Sequence, residues 1–377
     1  MPTADKTLGP FTGINNTSTQ AAVSPKAAKA TDNGYFDNDN AFVARPGHDV
    51  IDAGDVSCLY AFRGEPYYVK NGGLYRYGPS GPEFLGALPA STACMQDHGD
   101  VLHVSSAGAL FGVVGTSLAP LAAPCPPAPQ LDVASGALHD GVYGVALALS
   151  SPPSGLGEAS WVAVPDGGGV EVTVPPGRYT VYATAGDGSA FYSVAEVTGP
   201  TSILIGETPA GFLCTVEFLS PPPAHDAIYS WNAYMLFRFG CIIHLSIQFS
   251  GGLCDARQYI PFPEPVAHVF PLPTGLFVQT TTRLYWLAGT DPEQLEVKEV
   301  LSGSGALDLG VVVDAKYVDP ERAGKAAVGM IGGEFFAGFE DGSTRRLATQ
   351  YLAPEPGAGK VSLVRVSTNQ LLHFTTN

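Results

Sequence analysis

Short apolar runs that end at glycine, proline or asparagine recur along almost the whole chain, and this limits what the chain can fold into. Between residues 56 and 89 alone, the segments VSCLYAF, EPYYVKN, GLYRYG and EFLGALP follow one another, separated by turn residues. Runs of this length without a helical apolar stripe are typical of β-sandwiches, β-barrels and β-propellers. The 45 glycines and 32 prolines among 377 residues fit many short strands and tight turns.

Two segments predict β-hairpins. EPYYVKNGGLYRYG places an Asn-Gly-Gly turn between two strand-like runs, which is a strong hairpin signal. YSWNAYMLFRFGCIIHLSIQF is the most apolar long stretch, but Gly240 interrupts it and it carries Arg238 and His244. A membrane-spanning helix needs about 20 mainly apolar residues without such charges. We therefore predict two buried strands around a turn, and no membrane insertion.

Two proline-rich stretches, PCPPAP at 124–129 and PPP at 221–223, suggest stiff linkers. Residues 126–222 between them have the size of an immunoglobulin-like or fibronectin-like β-sandwich, with some six or seven strands. Within this segment, Tyr143, Val145 and Leu147 alternate with small residues, which predicts a half-buried strand.

The pattern of the first third resumes after the second linker. GEPYYVKNGGLYRYG, GLFVQTTTRLYWLAG and GEFFAGFEDGSTRRL share a strand–turn–strand plan. Roughly 275 residues lie outside the insertion, and at about 40–45 residues a blade they would form about five to seven blades. We predict an all-β fold, a β-propeller with an inserted β-sandwich; a β-barrel with an inserted sandwich is the alternative. The predicted domains are an N-terminal leader with first strands (1–55), the first propeller part (56–125), the sandwich (126–222) and the second propeller part (223–377).

The charge balance disfavours a protein that grips nucleic acid. The chain has 19 Lys and Arg against 35 Asp and Glu, a net charge of −16 and an isoelectric point near 4.7. Binding phosphates requires clustered basic residues. Two interpretations stay open: solubility and mutual repulsion, or an acidic surface that does not hold passing DNA.

The N-terminal segment has no basic stretch followed by an apolar one, so we expect no cleavable signal and folding in a cytoplasm. The six cysteines are scattered, without a CxxC motif, and are predicted to be free thiols. Pairing of Cys241 with Cys254 across a hairpin is the alternative.

Sequence motifs for catalysis are missing. The chain has no G-x-G-x-x-G after a strand, no Walker A motif, no G-x-S-x-G and no H-E-x-x-H. His98 and His103 form the nearest histidine pair, and we interpret them as ordinary strand residues rather than metal ligands. We therefore predict no enzyme activity, no catalytic or metal-binding residue and no cofactor.

The stretch NGYFDNDNAFVARPG at 33–47 invites a calcium-loop interpretation, because Asp37, Asp39 and Asn40 are clustered. An EF-hand loop needs Gly at position six and Glu at position twelve. Counted from Asp37, these positions hold Phe42 and His48. We therefore interpret the cluster as a turn, since Asp and Asn side chains bond to nearby backbone.

This stretch and the LGPFTGINN before it resemble the N-terminal signature of a family of tailed-phage virion proteins, the tail nozzle or tail-hub β-propellers (head–tail stabilisation proteins). Twelve positions separate Asn33 from the Arg-Pro-Gly at 45–47, as in that family, and Asn40 stands where the family has Gly. The family's F-x-G-I-N-N segment is matched by Phe11, Gly13, Ile14, Asn15 and Asn16.

The resemblance implies a structural virion protein that forms a ring in the tail or head–tail junction and extends the DNA channel. Its partners would be further copies of itself, with a hexamer as one arrangement, and portal, adaptor or other tail proteins. DNA would pass through without specific binding, and the protein would be assembled in the host cytoplasm and located in the virion. The alternative is a carbohydrate-binding or glycan-processing β-propeller that uses Trp161, Trp231 and Trp286 as sugar platforms.

Overall fold

The computed structural model describes residues 56–303, 310–332 and 334–347 in full, and the backbone of a few strands beyond them. Among the described residues, no helix is long and apolar enough to cross a membrane. The chain divides into two compact units, residues 52–261 and residues 262–377 with 1–51, and each is described by itself. The N-terminal strands are β1 (Gly13–Ile14), β2 (Ala27–Ala28), β3 (Gly34–Phe36) and β4 (Phe42–Ala44). β1 pairs with β2 in parallel, and β3 with β4 antiparallel.

The unit of residues 52–261 begins with two four-stranded antiparallel sheets, in each of which consecutive strands are neighbours. The predicted Asn-Gly-Gly hairpin is confirmed, because Lys70 pairs with Gly73 around a turn in which Asn71 and Gly72 have φ of 51° and 72°. The strands of the first sheet are β5 (Val56–Phe62), β6 (Glu65–Lys70), β7 (Gly73–Gly78) and β8 (Gly81–Ala87). Those of the second are β9 (Cys94–His98), β10 (Val101–Ser106), β11 (Ala109–Val114) and β12 (Ser117–Pro120).

A five-stranded sheet follows, rather than the six or seven strands predicted for the insertion. Its long fourth strand bends at a bulge between Val174 and Gly177. Before the bulge this strand pairs with the first strand, and from Tyr179 onward with the second, while the fifth strand runs along both halves. The strands are β13 (Gln130–Leu138), β14 (Gly141–Leu149), β15 (Ser160–Val164), β16 (Gly168–Thr184) and β17 (Phe191–Ile205). The two halves enclose one apolar core that includes Val145, Val172 and Val181.

The predicted half-buried strand is β14, but both of its faces are buried. Tyr143, Val145 and Leu147 face the core, as expected, while Ala146 is 0% exposed on the other face. A segment after β17 covers that second face: Ala146 packs in a small cluster with Phe191 and Cys214. This coverage involves residues some 70 positions further along the chain, so the local pattern could not predict it.

The chain then forms a second large sheet of the same unit, in the order β18-β22-β21-β20-β19. The predicted pair of buried strands is confirmed in β20 and β21, and Gly240 forms the turn with φ of 55°. The strands are β18 (Leu219–Ser220), β19 (Ala227–Trp231), β20 (Tyr234–Phe239), β21 (Ile242–Ile247) and β22 (Ser250–Pro261).

This sheet packs against the sheet that precedes the insertion. Cys94 of β9 lies against a cluster that contains Ile228, Met235 and Phe237, and its Sγ is 3.8 Å from the Ile228 carbonyl oxygen. Residues 94 and 228 are separated by the whole five-stranded domain. The insertion therefore interrupts the sequence between two sheets that are neighbours in space.

The unit that contains residues 262–377 has two further four-stranded antiparallel sheets, again with consecutive strands as neighbours. Phe270, Phe277, Trp286 and Phe336 are buried in one cluster that both sheets share. The strands are β23 (Val266–Leu272), β24 (Gly275–Thr280), β25 (Arg283–Ala288), β26 (Glu296–Ser302), β27 (Gly310–Asp314), β28 (Lys325–Ile331), β29 (Glu334–Phe339) and β30 (Thr344–Arg346), followed by the pair β31 (Gly359–Val366) and β32 (Asn369–Thr376). Two 3-10 turns span Pro292–Gln294 and Ala315–Tyr317.

Consecutive antiparallel sheets of four strands are the blades from which β-propellers are built. The prediction of an all-β fold of β-propeller type with an inserted β-sandwich is therefore confirmed. The inserted domain is sandwich-like because its two halves close over a single core.

Candidate functional site

A cleft of about 650 Å³ opens in the unit of residues 52–261. Its walls come from three hairpin turns and the neighbouring strands: the β9–β10, β19–β20 and β21–β22 turns. Leu121 and Pro153 complete the lining. Cleft volumes of about 300–1,000 Å³ are usual for small-molecule sites in proteins, so the size suits a small ligand.

His98 and His103 lie on one face of the β9–β10 hairpin. His98 pairs with Val101, and His103 follows Val101 by two residues, so alternation brings both rings to the same side. The rings meet edge to face with centroids 5.7 Å apart. His103 Nδ1 lies 3.2 Å from the Val101 carbonyl oxygen. A carbonyl only accepts, so His103 carries its proton on Nδ1 and leaves Nε2 with a lone pair.

Glycine at position 251 makes room for this ring. A Cβ at Gly251 would lie 2.2 Å from His103 Nε2, far inside contact distance. At the next position, a Cβ at Gly252 would lie 2.6 Å from the Leu121 carbonyl oxygen. The glycine pair therefore lets β22 approach the histidine wall of the cleft.

Burial keeps both histidines neutral. It lowers the pKa of His103 to about 4 and also lowers the pKa of His98. Asp100 is then the single charged side chain of the lining, and it forms an ion pair with Arg63 at 2.5 Å. A wall without Lys or Arg gives no charge to hold a phosphate or carboxylate.

The rim of the cleft carries an unusual aromatic residue. Phe249 is 84% exposed and has φ of 58°, a conformation that bulky residues rarely adopt. Its backbone N–H donates to the Ala233 carbonyl at 2.8 Å, which joins the β21–β22 turn to the β19–β20 turn. Asn232, in that second turn, also has a positive φ, of 50°.

His98 also contacts a serine, and the pair has some features of a nucleophile and its base. Its Nδ1 is 3.0 Å from Ser230 Oγ, and the ring is also hydrogen bonded to the Ala233 backbone. A catalytic serine needs a base oriented by a third group and access to substrate. Ser230 does not line the cleft, so it has no access to a substrate bound there. We therefore interpret the contact as a structural link between β9 and β19.

The sequence-predicted residues fall in different places. Trp231 and Trp286 are buried, with 1% and 6% exposure, and are core residues, while Trp161 is 52% exposed and lies over Gly144 and Phe191. Within the described part of the chain, no three His, Cys, Asp or Glu side chains form a metal-binding group. The acid cluster at 37–40, Arg45 and the side chains of the family signature lie outside the described residues.

All six cysteines are free thiols in the structure. Cys254 pairs with Ser246 and not with Cys241, which lies at the β20–β21 turn. The alternative of a Cys241–Cys254 bridge is therefore wrong, because the register of β21 and β22 places them at different levels of the sheet.

Sequence reasoning missed Phe249, Asn232 and the glycine pair. The only available signal was the Gly251-Gly252 pair within an otherwise strand-like run, which marks a close backbone approach. The residues that approach these glycines, His103 and Leu121, lie more than 120 positions earlier in the chain, so no local signal in the sequence indicated them.

The surface chemistry has a second regular feature. Every arginine whose side chain the structure describes forms an ion pair with a carboxylate. In Arg76, for example, the guanidinium lies between Glu65 and Glu83 on the two flanking strands. The others are Arg63, Arg178, Arg238, Arg257, Arg283, Arg322, Arg345 and Arg346.

Comparisons with known proteins give no family assignment. No family model matches the chain, and no curated protein matches it. Among solved structures, the chain is similar to the extracellular domain of the hybrid two component system BT4673 from B. thetaiotaomicron, with 10% identity and a TM-score of 0.34, over 84% of this chain and 36% of that one. The chain thus spans about a third of the length of that protein's domain.

Two further structures resemble the chain at a similar level. One is BBS1N, solved in complex with ARL6DN, with 12% identity and a TM-score of 0.31 over 85% of this chain and 89% of that one. The other is Saccharomyces cerevisiae Sqt1, with 9% identity and a TM-score of 0.22 over 74% and 92%.

Proposed function

We propose that this protein is a structural component of a tailed-phage virion, which forms a ring in the tail or head–tail junction and extends the DNA channel. Its partners are further copies of itself and portal, adaptor or other tail proteins. The virion is its location, and it has no catalytic role.

The pairing of every described arginine with a carboxylate carries this proposal. Proteins that hold DNA use Lys and Arg to replace the counterions of the phosphates. Here the guanidinium groups are already neutralised, as in Arg76 with Glu83 at 2.6 Å, and the chain has an excess of acids with a net charge of −16. A channel wall with this chemistry repels the DNA backbone and lets it slide.

The organisation of the chain gives further support. Blade-type sheets lie on both sides of an inserted sandwich-like domain, and the sheets that flank the insertion pack together through Cys94 and Ile228. The tail nozzle and tail-hub proteins that the N-terminal signature resembles are β-propellers, so sheets of blade type agree with that resemblance.

A glycan-processing propeller is the weaker candidate. Its expected platforms Trp231 and Trp286 are buried in cores, and a glycosidase needs two carboxylates across a cleft. The described cleft is lined by a single carboxylate, Asp100.

The proposal is tested by locating the protein on particles. Virions purified from the source phage are labelled with gold-conjugated antibodies raised against the isolated domain of residues 126–222. Antibodies against the major capsid protein serve as the control. We expect label on the tail or where the tail meets the head; label spread over the capsid, or none on intact virions, would contradict the proposal.

A further inference from the structure

The aromatic ring of the rim residue Phe249 has no evident role in the fold. Its side chain is 84% exposed, so the ring gains little from burial, and its φ of 58° costs free energy that glycine would avoid. The hydrogen bond from its N–H to the Ala233 carbonyl fixes the backbone in this conformation. Positive φ also occurs at other turn residues, such as Arg63 and Ala107, so the exposed ring at the edge of the cleft is the feature that points to a ligand contact.

The remaining cleft chemistry limits what the ligand can be. Ser250 supplies a hydroxyl, Asn232 an amide, and the two histidines are neutral imidazoles. The one carboxylate, Asp100, disfavours anions, and its pairing with Arg63 weakens its attraction for cations. The lining is mainly apolar, with a few neutral polar groups and no basic side chain, so it suits a neutral molecule that has both an apolar face and hydroxyl groups.

A protein partner would fit less well. Protein interfaces are broad and nearly flat surfaces, of about 800 Å² a side. Here the lining surrounds a concave space of about 650 Å³, next to a single exposed ring. This shape resembles a small-ligand site with one apolar platform.

We propose that the cleft binds a neutral saccharide, whose apolar ring face stacks on Phe249 while its hydroxyl groups bond to Asp100, Asn232 and Ser250. No bond of the sugar is broken in this proposal; the site only binds. Saccharide binding is independent of the proposed place in the virion, because a structural tail protein can have a sugar site or lack one.

The test uses the full-length protein and saturation-transfer NMR with maltotetraose, cellotetraose, chitotetraose and a neutral galactan fragment at millimolar concentration. Phe249→Ala is compared with Phe212→Ala, a matched control in which an equally exposed ring (88%) is removed away from the cleft. We expect at least one saccharide to bind the natural protein, a tenfold or greater loss of affinity in Phe249→Ala, and no change in Phe212→Ala.

A third variant separates binding from folding. Phe249→Gly relieves the positive φ, so it should melt no lower than the natural protein and still lose saccharide binding. No saturation transfer from any of the four saccharides would overturn the proposal, as would equal losses in Phe249→Ala and Phe212→Ala. Self-association of the protein that Phe249→Ala abolishes would identify the ring as a protein contact and would also overturn it.

Discussion

His98 and Ser230 are joined by a hydrogen bond of 3.0 Å although 132 positions separate them in the chain. The inserted domain lies wholly between these two residues, so the bond connects the sheets before and after it. Together with the Cys94–Ile228 contact, it explains how a domain of roughly 100 residues can interrupt a blade-type array without separating its sheets.

The inserted domain should fold alone if residues 126–222 are expressed as a fragment. It has its own core, in which Val145, Val172 and Val181 are fully buried. We expect dispersed amide signals in NMR and a cooperative thermal transition. The shorter fragment 126–206 lacks the segment whose Cys214 N–H donates to the Phe191 carbonyl and should melt at a lower temperature. Equal stability of the two fragments would contradict the role given to that segment.

Substitution of Gly155 should destabilise the protein strongly. A Cβ at this position would lie 1.6 Å from the Leu219 carbonyl oxygen, so Gly155→Ala forces the backbone apart and should cost about 2–4 kcal/mol. Gly206→Ala is the control, because its Cβ would meet no atom closer than 3.9 Å, and it should change stability by less than about 1 kcal/mol. Urea unfolding measures both, and a mild effect at Gly155 would show that Gly155 is not closely packed against Leu219 of β18.

The protein should lose stability as pH falls from about 6.5 towards 4. Burial lowers the pKa of His103 to about 4 in the folded state, so the unfolded chain binds more protons within this window. The contribution of His103 is therefore complete above pH 6.5 and decreases below it, by at most about 3 kcal/mol. His98 and His225, whose pKa values burial also lowers, should add to the loss.

The His103 contribution is isolated by comparing two variants. His103→Gln should reduce the difference in unfolding free energy between pH 7.5 and pH 5. Ser105→Ala, at a buried residue of the same strand that carries no titratable group, should leave that difference unchanged. If both variants keep the full pH dependence of the natural protein, His103 is not the group responsible.

Alkylation without reductant should label all six cysteines once the protein is unfolded. In the native state at pH 8, we expect the exposed Cys125 to react first. Cys254 should react only after unfolding, because it is 1% exposed and burial raises the pKa of its thiol to about 12. Mass spectrometry follows both reactions, and fewer than six labelled sites in the unfolded chain would reveal a native bridge.

Duplex DNA should not bind the purified protein at low salt. Non-specific binding by basic proteins has dissociation constants of about 1–100 µM at physiological salt and tightens as salt is removed. We expect no retardation in a gel at 50 mM salt with about 10 µM protein. The comparison is a variant in which Glu65→Gln and Glu83→Gln leave Arg76 without its carboxylate partners, and this variant should bind DNA more tightly than the natural protein. Tight, salt-dependent binding by the natural protein would show that the carboxylate partners do not neutralise its arginines.

Local signals in the sequence predicted the strands and their turns well. Asn71 and Gly72 specify a hairpin by themselves, because asparagine and glycine accept positive φ. The long strand β16 was not foreseen, since Pro175 and Pro176 suggest an end, whereas the chain bulges there and continues. A proline at a bulge removes only one ladder bond, so the strand can resume beyond it.

The candidate site could not be predicted from the sequence. Its walls come from turns near residues 99, 232 and 249, which become neighbours only after the sheets around the insertion pack together. The spacing of His98 and His103 marked them as the nearest histidine pair. The hydrogen bond by which His98 links β9 to β19 involves Ser230, which lies 132 positions further along the chain.

The central claim, a ring on the tail axis, is tested most directly by cryo-electron microscopy of intact virions. The described sheets and the inserted domain provide a search model that can be fitted into the reconstructed tail and head–tail junction. We expect a closed ring of identical copies around the DNA channel, with density for both the blade-type sheets and the inserted domain. Placement of the protein on the capsid lattice, or the absence of any such ring along the tail axis, would contradict it.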